Sequence, residues 1–249
     1  MLQMIIGRKV IVKDEVASTN DLAKSLANEG EEEGLVITAK TQVAGRGRMG
    51  KGWSSPEGGL YLSVLLRPKV PVEDMLRLTV LACVPVAETI EEASGCRAMV
   101  KWPNDVEIDG KKVAGLLVES ASRGGEIAYM VLGIGINLNV ETTNLGVPEA
   151  TSVSACAGRQ LDREAFLNLL LYRLDTFYAS FLKGTFEMTD YNKRSSTIGS
   201  DIEVEMSGTS IAGKATGVDV TGALTILAHD GNVHRLTSVH ETTIRKSNR

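Results

Sequence analysis

The chain is poor in the residues on which most nucleophilic and metal-dependent enzymes rely. Only three of its 249 residues are histidine, His229, His234 and His240, so the first 228 hold no imidazole for a Ser-His pair, a Cys-His pair or a metal cage. The spacings of five and six between those histidines are not read as a metal site. No Gly-x-Ser-x-Gly stretch occurs either. Cysteine is limited to Cys83, Cys96 and Cys156, odd in number and widely spaced. That pattern predicts reduced thiols and a cytoplasmic protein, not a disulfide framework. The N-terminal MLQMIIGRKVIVKDE has too short an apolar run for a signal peptide or a membrane span. Aromatic residues make up 4% and the net charge is −4, which excludes global attraction to nucleic acid and disfavours stacking on RNA bases. Chemistry in the first 228 residues must therefore come from lysine, arginine, amides and backbone groups.

What is present reads as two units without repeats. A strand at Lys9–Val12 precedes Ser18-Thr19-Asn20-Asp21, polar caps for a helix carrying Leu22, Ala23 and Leu26. Strands are expected at Leu35–Ala39, Leu60–Leu66 and Ala128–Leu138, with a hairpin of Val106–Ile108 and Val113–Glu119 about Asp109-Gly110. Helical spacing covers Val72–Ala93, with Pro85 as a kink, and Leu161–Phe181. From Asp201 to Ile244 short alternating runs separated by glycines predict a small β-barrel of about five strands. The expectation is an α/β (α+β) domain over 1–193 with a largely antiparallel sheet, then a small all-β domain over 197–249.

Three stretches carry candidate chemistry. Gly45-Arg46-Gly47-Arg48-Met49-Gly50 matches Gly-x-Gly-x-x-Gly, but the dinucleotide fold needs its last glycine to open a helix, and here Trp53 and a strand follow. Arg46, Arg48 and Lys51 with no acid between Thr41 and Ser55 suit an anionic ligand, since guanidinium forks bind phosphate oxygens; a solvated basic loop or an RNA-binding tract is the other reading. Lys101, between Met99-Val100 and Trp102-Pro103, is placed either to meet an α-phosphate or to snorkel beside a core tryptophan. Asn104 and Asp105 either cap that turn or offer polar contacts to a nucleotide or magnesium. Gly133 and Gly135 share one strand face with Asn137, so either a flat ligand ring or a crossing helix packs there.

Together, Ser18-Thr19-Asn20, Thr41-Gln42, GRGRMG at 45–50, Trp53, SPEGGLYLSVLLRP at 55–68, KWPNDV at 101–106, KVAGLLVES at 112–120 and GIGINLNV at 133–140 resemble the catalytic domain of biotin–protein ligases, in the family's order. The resemblance runs from about residue 10 to 140. It implies a class II aminoacyl-tRNA-synthetase-like catalytic domain and an SH3-like C-terminal barrel. It implies an enzyme that joins biotin and ATP as biotinyl-5′-AMP, with Mg2+ as activator held mainly by phosphates, and passes biotin to a lysine of a biotin carboxyl carrier protein or domain.

By the same resemblance, Ser18, Thr19, Asn20 and Gln42 line the biotin pocket. Arg46, Gly47 and Arg48 order over biotin and its adenylate. Lys101 contacts the carboxylate and α-phosphate. Gly115, Gly133 and Gly135 wall the biotin rings, while Trp53, Asn104 and Asn137 face the nucleotide. Met49 and Lys51 depart from the family, where many members carry further arginines, so loop charge is expected to be lower. The DNA-binding helix–turn–helix of the family's repressors has no counterpart, so neither transcriptional repression nor any DNA or membrane partner is expected; a homodimer is. A lipoate or octanoate ligase of the same fold, with a tunnel for a flexible acid, and a non-catalytic sensor of biotinyl-AMP are the competing assignments.

Overall fold

The computed structural model describes residues 4–71, 74–123, 126–206, 209–237 and 242–246. A seven-stranded sheet is built from β1 (Lys9–Val16), β2 (Leu35–Gln42), β3 (Leu60–Leu66), β4 (Met99–Lys101), β5 (Asp105–Ile108), β6 (Lys111–Arg123) and β7 (Glu126–Ile136), in the order β1-β2-β3-β7-β6-β5-β4. Only β1 and β2 run parallel; the remaining neighbours are antiparallel, as expected. The hairpin of β5 and β6 turns at Asp109 and Gly110, both with positive φ, the geometry that a tight two-residue turn demands.

Helices cover both faces of the sheet, which is why β3 is buried along its whole length. Even-numbered Leu60, Leu62, Val64 and Leu66 pack with α2 (Asp74–Ser94) and α4 (Arg163–Leu182) in the main core. Odd-numbered Leu65 joins Leu35, Ile37 and Val131 beneath Ala23 and Ala27 of α1 (Thr19–Asn28). The cap of α1 lies at Ser18, whose extended backbone lets its hydroxyl accept from the Asp21 amide, as the sequence predicts. Pro85 sits inside α2, which runs on to Ser94 as one helix.

The expectation of reduced thiols is overturned. Cys96 and Cys156 form a disulfide with Cα atoms 6.4 Å apart, leaving Cys83 as the free, buried cysteine among the described residues. The physical reason is tertiary. Cys96 follows the end of α2, and the short α3 (Val153–Ala157) returns Cys156 beside it across 60 residues, a proximity that spacing alone does not reveal.

After α5 (Met188–Arg194) comes a five-stranded antiparallel sheet of β8 (Asp201–Met206), β9 (Thr209–Val218), β10 (Leu224–Ala228), β11 (Val233–Leu236) and β12 (Thr242–Lys246), ordered β11-β10-β9-β8-β12. It meets the first sheet at Trp102, whose indole N–H donates to the Gly222 carbonyl and whose amide donates to Thr197 Oγ1. His229 and His234 belong to this part, while His240 lies outside the described residues. Among the described residues no helix is long and apolar enough to cross a membrane.

Candidate active site

A cavity of about 330 Å3 opens on the α1 face of the large sheet. Its floor is three adjacent strands, β3, β7 and β6, with Gly135 paired to Tyr61 on one side and Gly115 on the other, and Gly133 paired to Ser63 and Leu117. A Cβ on Gly135 would lie 2.6 Å from the Trp53 indole, and one on Gly115 would lie 2.9 Å from the same ring. A Cβ on Gly133 would lie 2.3 Å from the Asn20 side-chain oxygen. The glycines are therefore required by close approach: two seat Trp53 and the third seats Asn20. Neither alternative left open by the sequence holds along the whole face: Gly135 carries the protein's own Trp53 ring where a ligand ring was one option, and Gly133 carries Asn20 from the first turn of α1.

The pocket end beside α1 is polar and tightly bonded. Thr19 donates to Gln42 Oε1 through both its amide (2.9 Å) and its hydroxyl (3.1 Å), and Gln42 Nε2 donates to Ser55 Oγ at 2.9 Å. Asn20 accepts from Ser63 Oγ at 2.5 Å and donates to Glu119 Oε2 at 2.7 Å. Its amide is thus committed to the protein. Glu119, which the sequence reading did not single out, also holds Lys24 at 2.8 Å.

The arginine–glycine loop closes over the cavity as a small hairpin. Gly47 donates to the Lys51 carbonyl and Trp53 to that of Gly45, with a single 3-10 turn, Arg48–Gly50, at the tip and no helix after it. This geometry disposes of the dinucleotide fingerprint. Arg46 grips Asp21 of α1 with both guanidinium nitrogens at 2.5 and 2.6 Å, so its fork is spent on holding the loop down. The Arg46 hydrogen bond is the main reason that the Asp21 carboxyl falls from 3.8 to about 2. Arg48 reaches the other side and donates to Asn104 Oδ1 at 3.0 Å; burial pulls its pKa below the ordinary arginine value.

Because a depressed carboxyl pKa stabilises the state in which the acid is ionised, the Asp21 contribution to loop closure is complete above about pH 4 and fades as pH falls toward 2. Between pH 5 and 8 the latch should be insensitive to pH. Asp21→Asn removes it over that whole range, and trypsin should then cut at Arg46 and Arg48 several-fold faster than in the parent. Equal cleavage rates would show that the pair does not hold the loop.

Lys101 lines the same cavity from the end of β4, with Nζ 2.8 Å from Glu107 Oε1. Asn104 is held by its donation to the Leu116 carbonyl at 2.7 Å, which aims its oxygen at Arg48. Lys112 is a second ammonium in the cavity, 2.6 Å from Asp105 and 5.1 Å above the Trp53 ring. Lys112 opens the KVAGLLVES stretch, but only its three-dimensional pairing with Asp105 and Trp53 singles it out. The Trp53 indole N–H is buried and has no hydrogen-bond partner among the described residues, an arrangement that costs about 1–3 kcal/mol unless a ligand supplies an acceptor.

Ser18, Thr19, Asn20, Gln42, Arg46, Gly47, Arg48, Trp53, Lys101, Asn104, Gly115, Gly133 and Gly135 thus all border one cavity. Asn137 is the exception. The strand was expected to carry it on the face of the two glycines, but β7 ends at Ile136 and the Asn137 amide donates to the Thr151 carbonyl at 3.0 Å, away from the pocket.

The geometry has counterparts among known proteins. A family model described as the biotin/lipoate A/B protein ligase family matches residues 12–137. A bifunctional ligase/repressor BirA of Bacillus subtilis is 34% identical over 235 residues, covering 91% of this chain and 72% of its own. The chain belongs to the biotin/lipoate A/B protein ligase family. Within that family, a biotin–[acetyl-CoA-carboxylase] ligase of Mycobacterium tuberculosis is 32% identical, with 87% of this chain and 82% of that one covered. A solved biotin protein ligase of Aquifex aeolicus, in complex with biotin and ATP, superposes with a TM-score of 0.83 at 29% identity, over 96% of this chain and all of that one. This member of the family therefore shares its mixed-sheet fold and C-terminal antiparallel sheet with that ligase.

Proposed function

We propose that this family member is a biotin–protein ligase that forms biotinyl-5′-AMP from biotin and ATP and transfers biotin to a lysine of a carboxyl carrier domain. The observation that carries the reading is the meeting, on one glycine-floored cavity, of a polar end made by Thr19 and Gln42 with cationic groups from two distant stretches, Arg48 and Lys101. A polar end suits a compact, hydrogen-bonding ureido head better than the flexible chain of lipoate.

The chemistry follows from charge. In the first step a biotin carboxylate oxygen attacks the α-phosphorus of ATP, the bond to the bridging oxygen breaks, and pyrophosphate leaves with the electron pair. The carboxylate is already ionised near neutral pH, so no general base is required and the scarcity of histidine is no handicap. The obstacle is an anion meeting a polyanion. Lys101 and Arg48 offset it by donating to oxygens on which charge accumulates, in a site whose loop excludes water. Among the described residues no group of three or more carboxylate, histidine or cysteine ligands gathers to hold a metal ion, and Asp105 is occupied by Lys112. Magnesium, in this proposal, arrives on the triphosphate and no step of the protein's own depends on a cage for it. In the second step the acceptor amine attacks the acyl carbon, AMP leaves, and the amine sheds its proton.

The same proposal includes a cytoplasmic homodimer whose domains divide at about residues 193–197. The test is mass spectrometry of an isolated carboxyl carrier domain after incubation with this protein, ATP and biotin. One biotinyl group on one lysine, dependent on both small molecules, is expected. Labelling with lipoate in place of biotin, or none with either, would overturn the assignment.

A further inference from the structure

The Lys101 ammonium has a partner that lies just outside the KWPNDV stretch at 101–106. Glu107 is 3% exposed, yet it is a carboxylate on the short β4–β5 hairpin, diagonal to Lys101 across the strand pair. A buried carboxylate is costly unless both oxygens are engaged. Here one oxygen takes Lys101 Nζ at 2.8 Å and the other accepts from Ser196 Oγ at 3.0 Å. Ser196 is not part of the large sheet. It belongs to the segment joining the two sheets, which lies parallel to β4: Ser195 bridges Val100, the Ser196 amide donates to the Val100 carbonyl at 2.8 Å, and Thr197 receives the Trp102 amide. The Trp102 indole is then tied to Gly222, in the loop between β9 and β10.

We infer that Glu107 is a positioning residue for Lys101, and that the segment at 195–197 fixes it, so the path to the second sheet is built into the active site. An ammonium carries three N–H donors on a flexible stem. Anchoring one of them on a buried carboxylate that Ser196 holds in turn leaves two for the cavity that Lys101 lines. Without that anchor the side chain samples many rotamers, and the charge is not in place when the phosphorus is attacked. The pairing also sets a negative charge beside Lys101 on a residue that does not line the cavity, so the carboxylate opposes departure of the ammonium without itself bordering the pocket.

The inference rests on the proposed adenylation at Lys101, and the experiment separates the two. The rate of pyrophosphate release at saturating ATP and biotin is measured for Glu107→Gln, Ser196→Ala, Lys101→Ala and the double variant Lys101→Ala/Glu107→Gln, with biotin affinity by calorimetry. Glu107→Gln should lower the rate tenfold or more, and Ser196→Ala about threefold, while biotin affinity stays within twofold of the parent. The double variant should be no slower than Lys101→Ala alone, because Glu107 acts only through that lysine. A parent-like rate for Glu107→Gln, or a double variant slowed by the product of both factors, would overturn the positioning role while leaving the ligase reading intact. A parent-like rate for Lys101→Ala would overturn the reading itself, and the inference with it. Should Glu107→Gln fail to fold, the same cycle built on Ser196→Ala decides the matter.

Discussion

Lys101→Ala is expected to slow adenylate formation by about a hundred- to a thousandfold while leaving biotin affinity within about twofold, the loss typical of one preorganised donor aimed at developing charge. The division between Lys101 and the arginines explains why the effect should concentrate there. Arg46 has both nitrogens on Asp21, and Lys112 stands on Asp105, so each already serves a contact that shapes the cavity. Lys101 instead lies a third exposed at the strand end, with donors to spare beyond Glu107. Because removing it strands a buried carboxylate, Lys101→Gln serves as a companion that keeps a donor to Glu107 but no charge. Both variants should bind biotin and both should fail to release pyrophosphate from labelled ATP at more than a small percentage of the parent rate. A normal burst from Lys101→Gln would show that hydrogen bonding, not charge, is what the site requires.

Much of this site was legible in the sequence because its ingredients are local. The cap at Ser18, the Asp109-Gly110 turn, the glycine pair on a strand and the lysine before a rigid turn each follow from backbone preferences over a few residues. What was hidden is pairing between distant segments. Nothing in the order of residues says that Asp21 will take the Arg46 fork 25 positions away, that Glu119 will bind Asn20 and Lys24, or that Ser196 will reach Glu107. Each of these is a carboxylate whose partner is chosen by the packing of α1, the loop or the connecting segment onto the sheet. The disulfide between Cys96 and Cys156 belongs to the same class. Asn137 failed for a smaller reason: strand periodicity was carried one residue past the point where β7 stops.

Gly135→Val should disable the site from its floor, with a loss of at least a hundredfold in kcat/KM for biotin-dependent pyrophosphate release. The new Cβ would fall 2.6 Å from Trp53 Cε2 and Nε1, closer than carbon atoms approach without displacement. The strand has little freedom to yield, since Gly135 is in register with Tyr61 on one side and Gly115 on the other. Trp53 must therefore move, and it takes with it the loop it closes, because its amide is bonded to Gly45 across the base of the arginine hairpin. Overpacking of this kind costs about 1–3 kcal/mol, so the protein should still fold with a moderately lower Tm. The chain has two tryptophans, and Trp102 is buried and hydrogen-bonded to Gly222, so a red shift in emission reports Trp53 leaving its seat. Gly135→Ala should show the same shift in weaker form, since the clash begins at Cβ. If the valine variant kept both the parent emission and the parent biotin affinity, the indole would not be resting on these glycines in solution, and the cavity described above would need a different floor.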